Sequence, residues 1–147
     1  MKSILFGILL VLTLLVTSQA HATVSLLPGA SWCPNGTSLL TPAANQVIIF
    51  STLNYVHDVT GQCQILTIGT HNYSVGDLGP YGLNGPDYIK SLEQGTNVQG
   101  EYYSGANFTG THVAHDYGWM TNDTSSWLGL GVGVYPVSMG FHKRSGT

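Results

Sequence analysis

The chain has 147 residues, of which 43% are hydrophobic and only 7% are charged, and its formal net charge at pH 7 is −3. This apolar content is typical of a packed domain and excludes a disordered chain. Four basic residues against seven acidic ones exclude the basic surface that a nucleic-acid partner would need.

Residues 1–22 have the organisation of a secretory signal peptide. A positive start at Lys2 precedes an apolar run at 4–16, which is shorter than the ~20 residues that span a bilayer. Ala20, His21 and Ala22 fit the small-x-small pattern of a cleavage site. Since no second long apolar run follows, we predict a secreted, extracellular protein with no membrane span after cleavage.

Residues 23–45 are rich in turn formers and are predicted to form an N-terminal arm. The chain has two cysteines, Cys33 and Cys63, and an even number of cysteines in a secreted protein predicts a disulfide. This disulfide would tether the arm, close a loop of about 30 residues and stabilise the fold by roughly 3–4 kcal/mol. A redox-active pair is the alternative, but the spacing is not Cys-x-x-Cys.

Strand patterns follow the arm, separated by clusters of glycine, asparagine and proline. The stretch 46–50 is a β-branched run, and 62–68 alternates polar and apolar residues. No window shows the apolar period of a helix. These patterns predict an all-β sandwich or small barrel, with strands at 46–50, 62–68, 89–93, 98–103, 111–115 and 132–137. Residues 139–147 are predicted to form a polar C-terminal tail.

The strand patterns repeat once. One unit runs from 46 to 95 and the next from 97 to 137. Each opens with an apolar strand, then has a glycine, a second strand, a long irregular loop and a short strand after a hydroxyl residue. A twofold repeat of four-strand units predicts two Greek keys.

The second unit contains Tyr103, Phe108 and Gly110, spaced as two aromatic residues and a glycine around a sharp turn. One backbone position in such a turn needs a conformation that glycine adopts at little cost. The spacing resembles the Greek-key signature of the βγ-crystallin superfamily. The resemblance implies that residues 46–138 form two Greek-key motifs packed as a βγ-crystallin-like sandwich.

The first unit departs from that signature. Its equivalent glycine is Gly61, and Tyr55 is a closer aromatic candidate than Phe50. The turn of this unit is therefore expected to be longer or shifted.

The same resemblance implies a calcium motif late in each key: two Asn or Asp, two free positions, Ser or Thr, Ser, and an apolar residue. In the second key, 121–127 (TNDTSSW) departs only at its first position. In the first key, 86–92 (PDYIKSL) also has Lys90 where calcium needs an oxygen ligand. Because the superfamily's sites take ligands from both keys, the resemblance implies one calcium site, formed by Asp87, Asn122, Asp123 and Ser125. The alternative is that these loop residues only cap turns.

The combination of one nearly complete motif and one broken motif resembles the pattern of slime-mould calcium-dependent cell adhesion proteins. The leading hypothesis is therefore a secreted, non-enzymatic calcium-binding protein with a role in cell adhesion. Its partner would be a cell-surface or matrix component, or a second copy of the chain. Two alternatives stay open: an antimicrobial or toxin-like crystallin, which the negative net charge disfavours, and a purely structural extracellular protein without metal.

Four Asn-x-Ser/Thr sequences are potential glycosylation sites. We predict glycans at Asn35, Asn72 and Asn107. Asn122 is predicted to stay unmodified, because a glycan there would crowd the calcium site.

Catalytic and zinc-binding patterns are weak. His112 and His115 are three residues apart on a predicted strand and would point to opposite faces, which makes a poor zinc pair. No nucleophile elbow and no carboxylate pair is present, so no enzyme is predicted. Trp127 is predicted to lie in the core, and Trp119 to be the more exposed candidate for binding a sugar.

Overall fold

The computed structural model describes residues 24–34, 40–51, 63–69, 72–83 and 89–144, except for the side chains of Ser125 and Trp127. In these parts the chain forms nine strands, one single-turn α-helix, α1 (Thr124–Trp127), and two short 3-10 helices, at Gly79–Tyr81 and Ala106–Phe108. The strands are β1 (Ala30–Trp32), β2 (Gln46–Phe50), β3 (Cys63–Thr67), β4 (Tyr73–Val75), β5 (Ser91–Gln94), β6 (Val98–Gly105), β7 (Thr109–His115), β8 (Met120–Thr121) and β9 (Ser138–Lys143). No helix in the described ranges is long and apolar enough to cross a membrane.

The strands form two antiparallel sheets, in the orders β1-β3-β2-β5-β8 and β4-β9-β6-β7. In each repeat unit the first, second and fourth strands lie in one sheet, and the third strand lies in the other. The fourth strand of each unit pairs with the first, as in a Greek key. The predicted all-β fold of two Greek keys is therefore confirmed.

Strand β2 is buried on both faces, which explains its uninterrupted apolar sequence. Val47 and Ile49 face the core between the sheets, where Tyr102 and Phe141 of the second sheet are also buried. The alternate residues of β2 belong to a second, smaller core on the outer face of the first sheet. This smaller core consists of Cys33, Ile48, Phe50 and Cys63, with Leu40 and Ile65 packed against it.

The N-terminal arm joins the first sheet through β1, which pairs with β3. The predicted disulfide between Cys33 and Cys63 is present, with the two Cα atoms 5.4 Å apart. Leu27 inserts into the main core, where it is 1% exposed. The arm thus contributes both a strand and a core residue.

The end of the chain differs from the prediction. The strand predicted at 132–137 is wrong: this stretch is a loop with positive φ at Gly133, and the strand begins at Ser138. Proline at 136 lacks the N–H that a central strand donates. Most of the tail predicted at 139–147 belongs to β9, whose Met139 and Phe141 are fully buried. The sequence analysis also missed the short strands β1, β4 and β8.

Candidate functional site

The hairpin between β6 and β7 is built as its aromatic-glycine spacing predicted. Gly110 has φ of 79°, where a side chain would be strained. The rings of Tyr103 and Phe108 meet edge to face, with centroids 5.5 Å apart. Asn107 and Phe108 also have positive φ, at 54° and 60°. The turn therefore has three residues in the left-handed region rather than one glycine alone.

Ser138, the first residue of β9, holds this hairpin against the domain. Its hydroxyl donates to the Gly105 carbonyl at 2.7 Å and accepts from the Phe108 N–H at 3.1 Å. Ser138 is fully buried. The Asn107 N–H also donates to the Gly76 carbonyl at 2.5 Å, so the turn is bonded to the first key.

The repeat assigns Ser91 the same position in the first key. Ser91 is the first residue of β5, is fully buried and pairs with Phe50, as Ser138 pairs with Tyr103. By strand register Phe50 is therefore the equivalent of Tyr103. Tyr55 and Gly61 lie outside the described residues, so the choice of Tyr55 as the aromatic partner of Gly61 stays a prediction. The signal in the sequence for these serines is that each directly precedes an apolar residue, Leu92 or Met139, as the last serine of the superfamily motif does.

The residues before these serines are equivalent as well. The Lys90 N–H donates to the Phe50 carbonyl and the Val137 N–H donates to the Tyr103 carbonyl, both at 2.9 Å. In the first key, the motif resemblance at 86–92 places Lys90 at the Ser or Thr position. The same position in the second key is Val137, within 133–138 (GVYPVS). Neither side chain supplies a hydroxyl oxygen there.

The predicted calcium motif of the second key lies elsewhere, in the turn that leads into α1. Thr121 Oγ1 donates to the Asp123 carbonyl at 3.1 Å and accepts from the Asp123 N–H at 3.3 Å. Ser126 Oγ donates to the Asp123 carboxylate at 2.8 Å. These are the bonds of a capped turn. Asn122 is exposed and Asp123 half-buried.

This turn packs against the first key through Thr124, which is 1% exposed. The Thr124 N–H donates to the Lys90 carbonyl at 2.8 Å, and its hydroxyl donates to the Ile89 carbonyl. We call 121–126, together with Ile89 and Lys90, the junction turn. Three of the predicted calcium ligands, Asn122, Asp123 and Ser125, lie in it. Asp87 and the Ser125 side chain lie outside the described residues.

The junction turn offers hard oxygen atoms, which is the ligand chemistry that calcium prefers. Asn122, Asp123 and Ser126 carry an amide, a carboxylate and a hydroxyl oxygen. Calcium takes roughly six to eight oxygen ligands, so carbonyls or water would have to complete the shell. Among the described residues, no group of three or more His, Cys, Asp or Glu could hold a metal ion.

The aromatic and histidine predictions have mixed outcomes. His112 stacks on Tyr103 and His115 stacks on Trp119, so the two histidines face opposite sides of the sheet, as predicted. Trp119, predicted to be the better exposed candidate, is half-buried: its ring packs against the core and lies parallel to His115, with 3.6 Å between centroids. Among the described side chains Trp32 is the exposed tryptophan, at 40%, and the comparison of Trp119 with Trp127 stays a prediction. The described side chains do not include Trp127.

The structure describes two of the three asparagines that are predicted to carry glycans. Asn72 and Asn107 are exposed, as attachment of a glycan requires. Asn35 lies outside the described residues. Glycosylation itself stays a prediction.

Comparisons with known proteins support the fold. No family model and no curated protein matches the chain. A domain solved in work on the evolution of the eye lens βγ-crystallin domain fold aligns with a TM-score of 0.56 and 17% identity, over 79% of this chain and 99% of that one. Spherulin 3A from Physarum polycephalum aligns with a TM-score of 0.55 and 17% identity, over 81% of this chain and 99% of its own. The chain therefore has the βγ-crystallin domain fold.

Proposed function

We propose that the chain is a secreted, non-enzymatic structural protein of the extracellular space. Its βγ-crystallin-type sandwich is held together by the disulfide and two hydrophobic cores, without calcium at the positions of the superfamily motif. The observation that carries this proposal is the equivalence of Lys90 and Val137, established by their backbone bonds to Phe50 and Tyr103. A cation and an apolar side chain stand where a calcium site needs an oxygen.

Thermal melting of the secreted chain in chelator and in millimolar calcium tests this proposal. We expect the same Tm in both, because a ligand raises Tm only by binding the folded state. Lys90→Thr supplies the missing hydroxyl and is expected to create a calcium response that the unmodified chain lacks. Lys90→Met is the matched control, because it removes the charge without adding an oxygen. A calcium-dependent Tm in the unmodified chain would contradict the proposal.

A second candidate is calcium binding at the junction turn, with Asp87, Asn122, Asp123 and Ser125 as ligands. It is favoured by the packing of Thr124, in the second key's turn, on Ile89 and Lys90. These two residues follow Asp87 closely in the sequence. Isothermal titration with calcium tests it. Binding that is lost in Asp123→Asn and Ser125→Ala but kept in Lys90→Met would support this site. No heat at millimolar calcium would exclude it.

If calcium binds, the resemblance to slime-mould adhesion proteins makes calcium-dependent cell adhesion the proposed biological role. Added protein would then change cell aggregation only when calcium is present. The antimicrobial alternative predicts growth inhibition of microbes instead. Its weakness is the charge, because removal of Lys2 with the signal peptide lowers the net charge from −3 to −4.

A further inference from the structure

Two of the potential glycosylation sequences have the same form, an asparagine followed by an aromatic residue and a hydroxyl residue. They are 72–74 (NYS) and 107–109 (NFT). Both asparagines are exposed, but the fold gives the two aromatic rings opposite surroundings. This difference decides what a glycan on each asparagine is able to contact.

At Asn72 the aromatic ring is out of reach. Tyr73 begins strand β4, and adjacent side chains of an extended chain point to opposite sides. The Tyr73 ring packs against the main core, with its centroid 6.2 Å from that of Phe141. A glycan on Asn72 would therefore start on the side away from this ring.

At Asn107 the ring and the asparagine lie on the same side of the hairpin tip. Asn107 and Phe108 both have positive φ, at 54° and 60°, so the chain is not extended here. A side-chain carbon built on Gly76 would lie 3.1 Å from Asn107 Oδ1 and 3.8 Å from Phe108 Cε2. The amide of Asn107 and the ring of Phe108 thus approach the same point beside Gly76.

The Phe108 ring is covered only in part. It meets the Tyr103 ring edge to face, yet Phe108 is still 42% exposed. Within the described residues the Asn107 side chain has no hydrogen-bond partner, so its Nδ2, the atom that carries an N-glycan, is not otherwise engaged. An apolar surface and an attachment atom therefore lie side by side at the tip.

We propose that Asn107 carries an N-glycan whose first sugar packs on the exposed part of the Phe108 ring. Attachment replaces one Nδ2–H by a bond from Nδ2 to the anomeric carbon of the sugar. The donor is a glycosyl diphosphate of the secretory pathway: its bond between that carbon and the diphosphate oxygen breaks, the diphosphate leaves with the bonding electrons, and the proton goes to solvent. The inference rests on the secretion in the proposed function and does not depend on calcium.

The covalent link is what selects the glycan as the group that covers this ring. A sugar attached to the neighbouring residue is held beside the ring at a high effective concentration. The C–H face of the sugar is able to pack on the electron-rich face of the ring. Because the folded turn fixes Asn107 and Phe108 on one side, the contact favours the folded hairpin and is expected to stabilise it.

The test uses the full chain secreted by eukaryotic cells, with peptide mass spectrometry to show which asparagines are occupied. Asn107→Asp removes the glycan and keeps a short side chain that tolerates positive φ. We expect this variant to melt about 2–4 °C below the unmodified chain. Asn72→Asp is the matched control and should change Tm by less than about 1 °C.

Two further comparisons separate the glycan from the substitution itself. In chains produced without glycans, refolded and oxidised, Asn107→Asp should leave Tm unchanged. In glycosylated chains that carry Phe108→Asn, loss of the glycan should lower Tm by less than half as much, because the ring is gone. Nuclear Overhauser contacts are expected between the Phe108 ring protons and the first sugar, and they decide the question if Phe108→Asn fails to fold.

The outcomes distinguish this inference from the proposed function. An unoccupied Asn107 in the secreted chain would overturn the inference and leave the proposed function standing. Equal Tm losses in Asn107→Asp and Asn72→Asp, a full loss in the Phe108→Asn background, or the absence of ring-to-sugar contacts would overturn the packing on Phe108. Retention of the chain inside the cells would overturn both the inference and the proposed function.

Discussion

Gln64 Oε1 accepts a hydrogen bond from the Leu27 N–H at 2.8 Å, and Gln64 Nε2 donates a hydrogen bond to the Ser25 carbonyl at 2.9 Å. Gln64 is 2% exposed. This buried side chain of β3 thus makes the hydrogen bonds that a neighbouring strand would make with the arm at Ser25 and Leu27. The arm pairs with β3 through its backbone only further along the chain, in the three residues of β1. The arm is held by this contact, by Leu27 in the core and by the disulfide.

Gln64→Ala is expected to destabilise the fold by about 1–3 kcal/mol, because it leaves two backbone groups of the arm without their partner. The measurement is urea denaturation of the oxidised chain. Gln46→Ala is the matched control, since Gln46 also bonds a backbone N–H, that of Ala43, but at the surface. Equal losses in the two variants would show that the buried contact has no special role.

Ser138→Ala is expected to cost about 1–3 kcal/mol, because the Phe108 N–H and the Gly105 carbonyl lose their bonds to one buried hydroxyl. Denaturant unfolding measures the loss. Ser126→Ala, at an exposed serine of the junction turn, should cost under about 1 kcal/mol. A neutral Ser138→Ala would contradict the anchoring role that we assign to this serine.

Gly110→Ala is expected to destabilise the hairpin by about 1–2 kcal/mol, because alanine is strained at φ of 79°. Contact of the added methyl group with Ser104 Oγ would add to the loss. Gly69→Ala is the control: its φ is not in the positive region, and no atom lies within 4 Å of the added carbon. Thermal melting of both variants should show a clear drop in Tm only for Gly110→Ala.

Glu93 makes stability depend on pH. It lies between Ile48 and Met120 on the outer face of the first sheet, and burial raises the pKa of its carboxyl above the usual 4.5. A raised pKa means that the folded state holds the proton more tightly. The contribution of Glu93 to stability is therefore fully present below about pH 4.5 and falls as pH rises through the folded pKa.

Glu93→Gln removes this dependence. We expect the variant to melt at a higher temperature than the unmodified chain at pH 7, and the difference to shrink towards pH 4. Glu101→Gln is the control, because its carboxylate accepts a bond from the Tyr103 hydroxyl at 3.1 Å, and removing it should bring no gain at pH 7. A Glu93→Gln difference that stays constant with pH would contradict the argument.

The sequence predicted which types of residue form the candidate site, but not where those residues lie in the fold. The pattern at 121–127 fits the calcium motif by spacing alone. Its place in the Greek key depends on where the last strand begins, and that strand begins at Ser138 rather than near 132. The glycines at 131 and 133 and the proline at 136 interrupt an apolar stretch that otherwise resembles a strand.

Sequence alone determined the all-β class, the two Greek keys, the disulfide and the special conformation of Gly110. Strand periodicity and the steric limit on φ act within a few residues. The twofold repeat is visible when two segments of the sequence are compared, and two cysteines allow only one pairing. Only the tertiary structure decided that Phe50 matches Tyr103, that Lys90 matches Val137 and that Trp119 stacks on His115. Those relationships join residues far apart in the chain, and they are set by which strands pair and which side chains the two cores enclose.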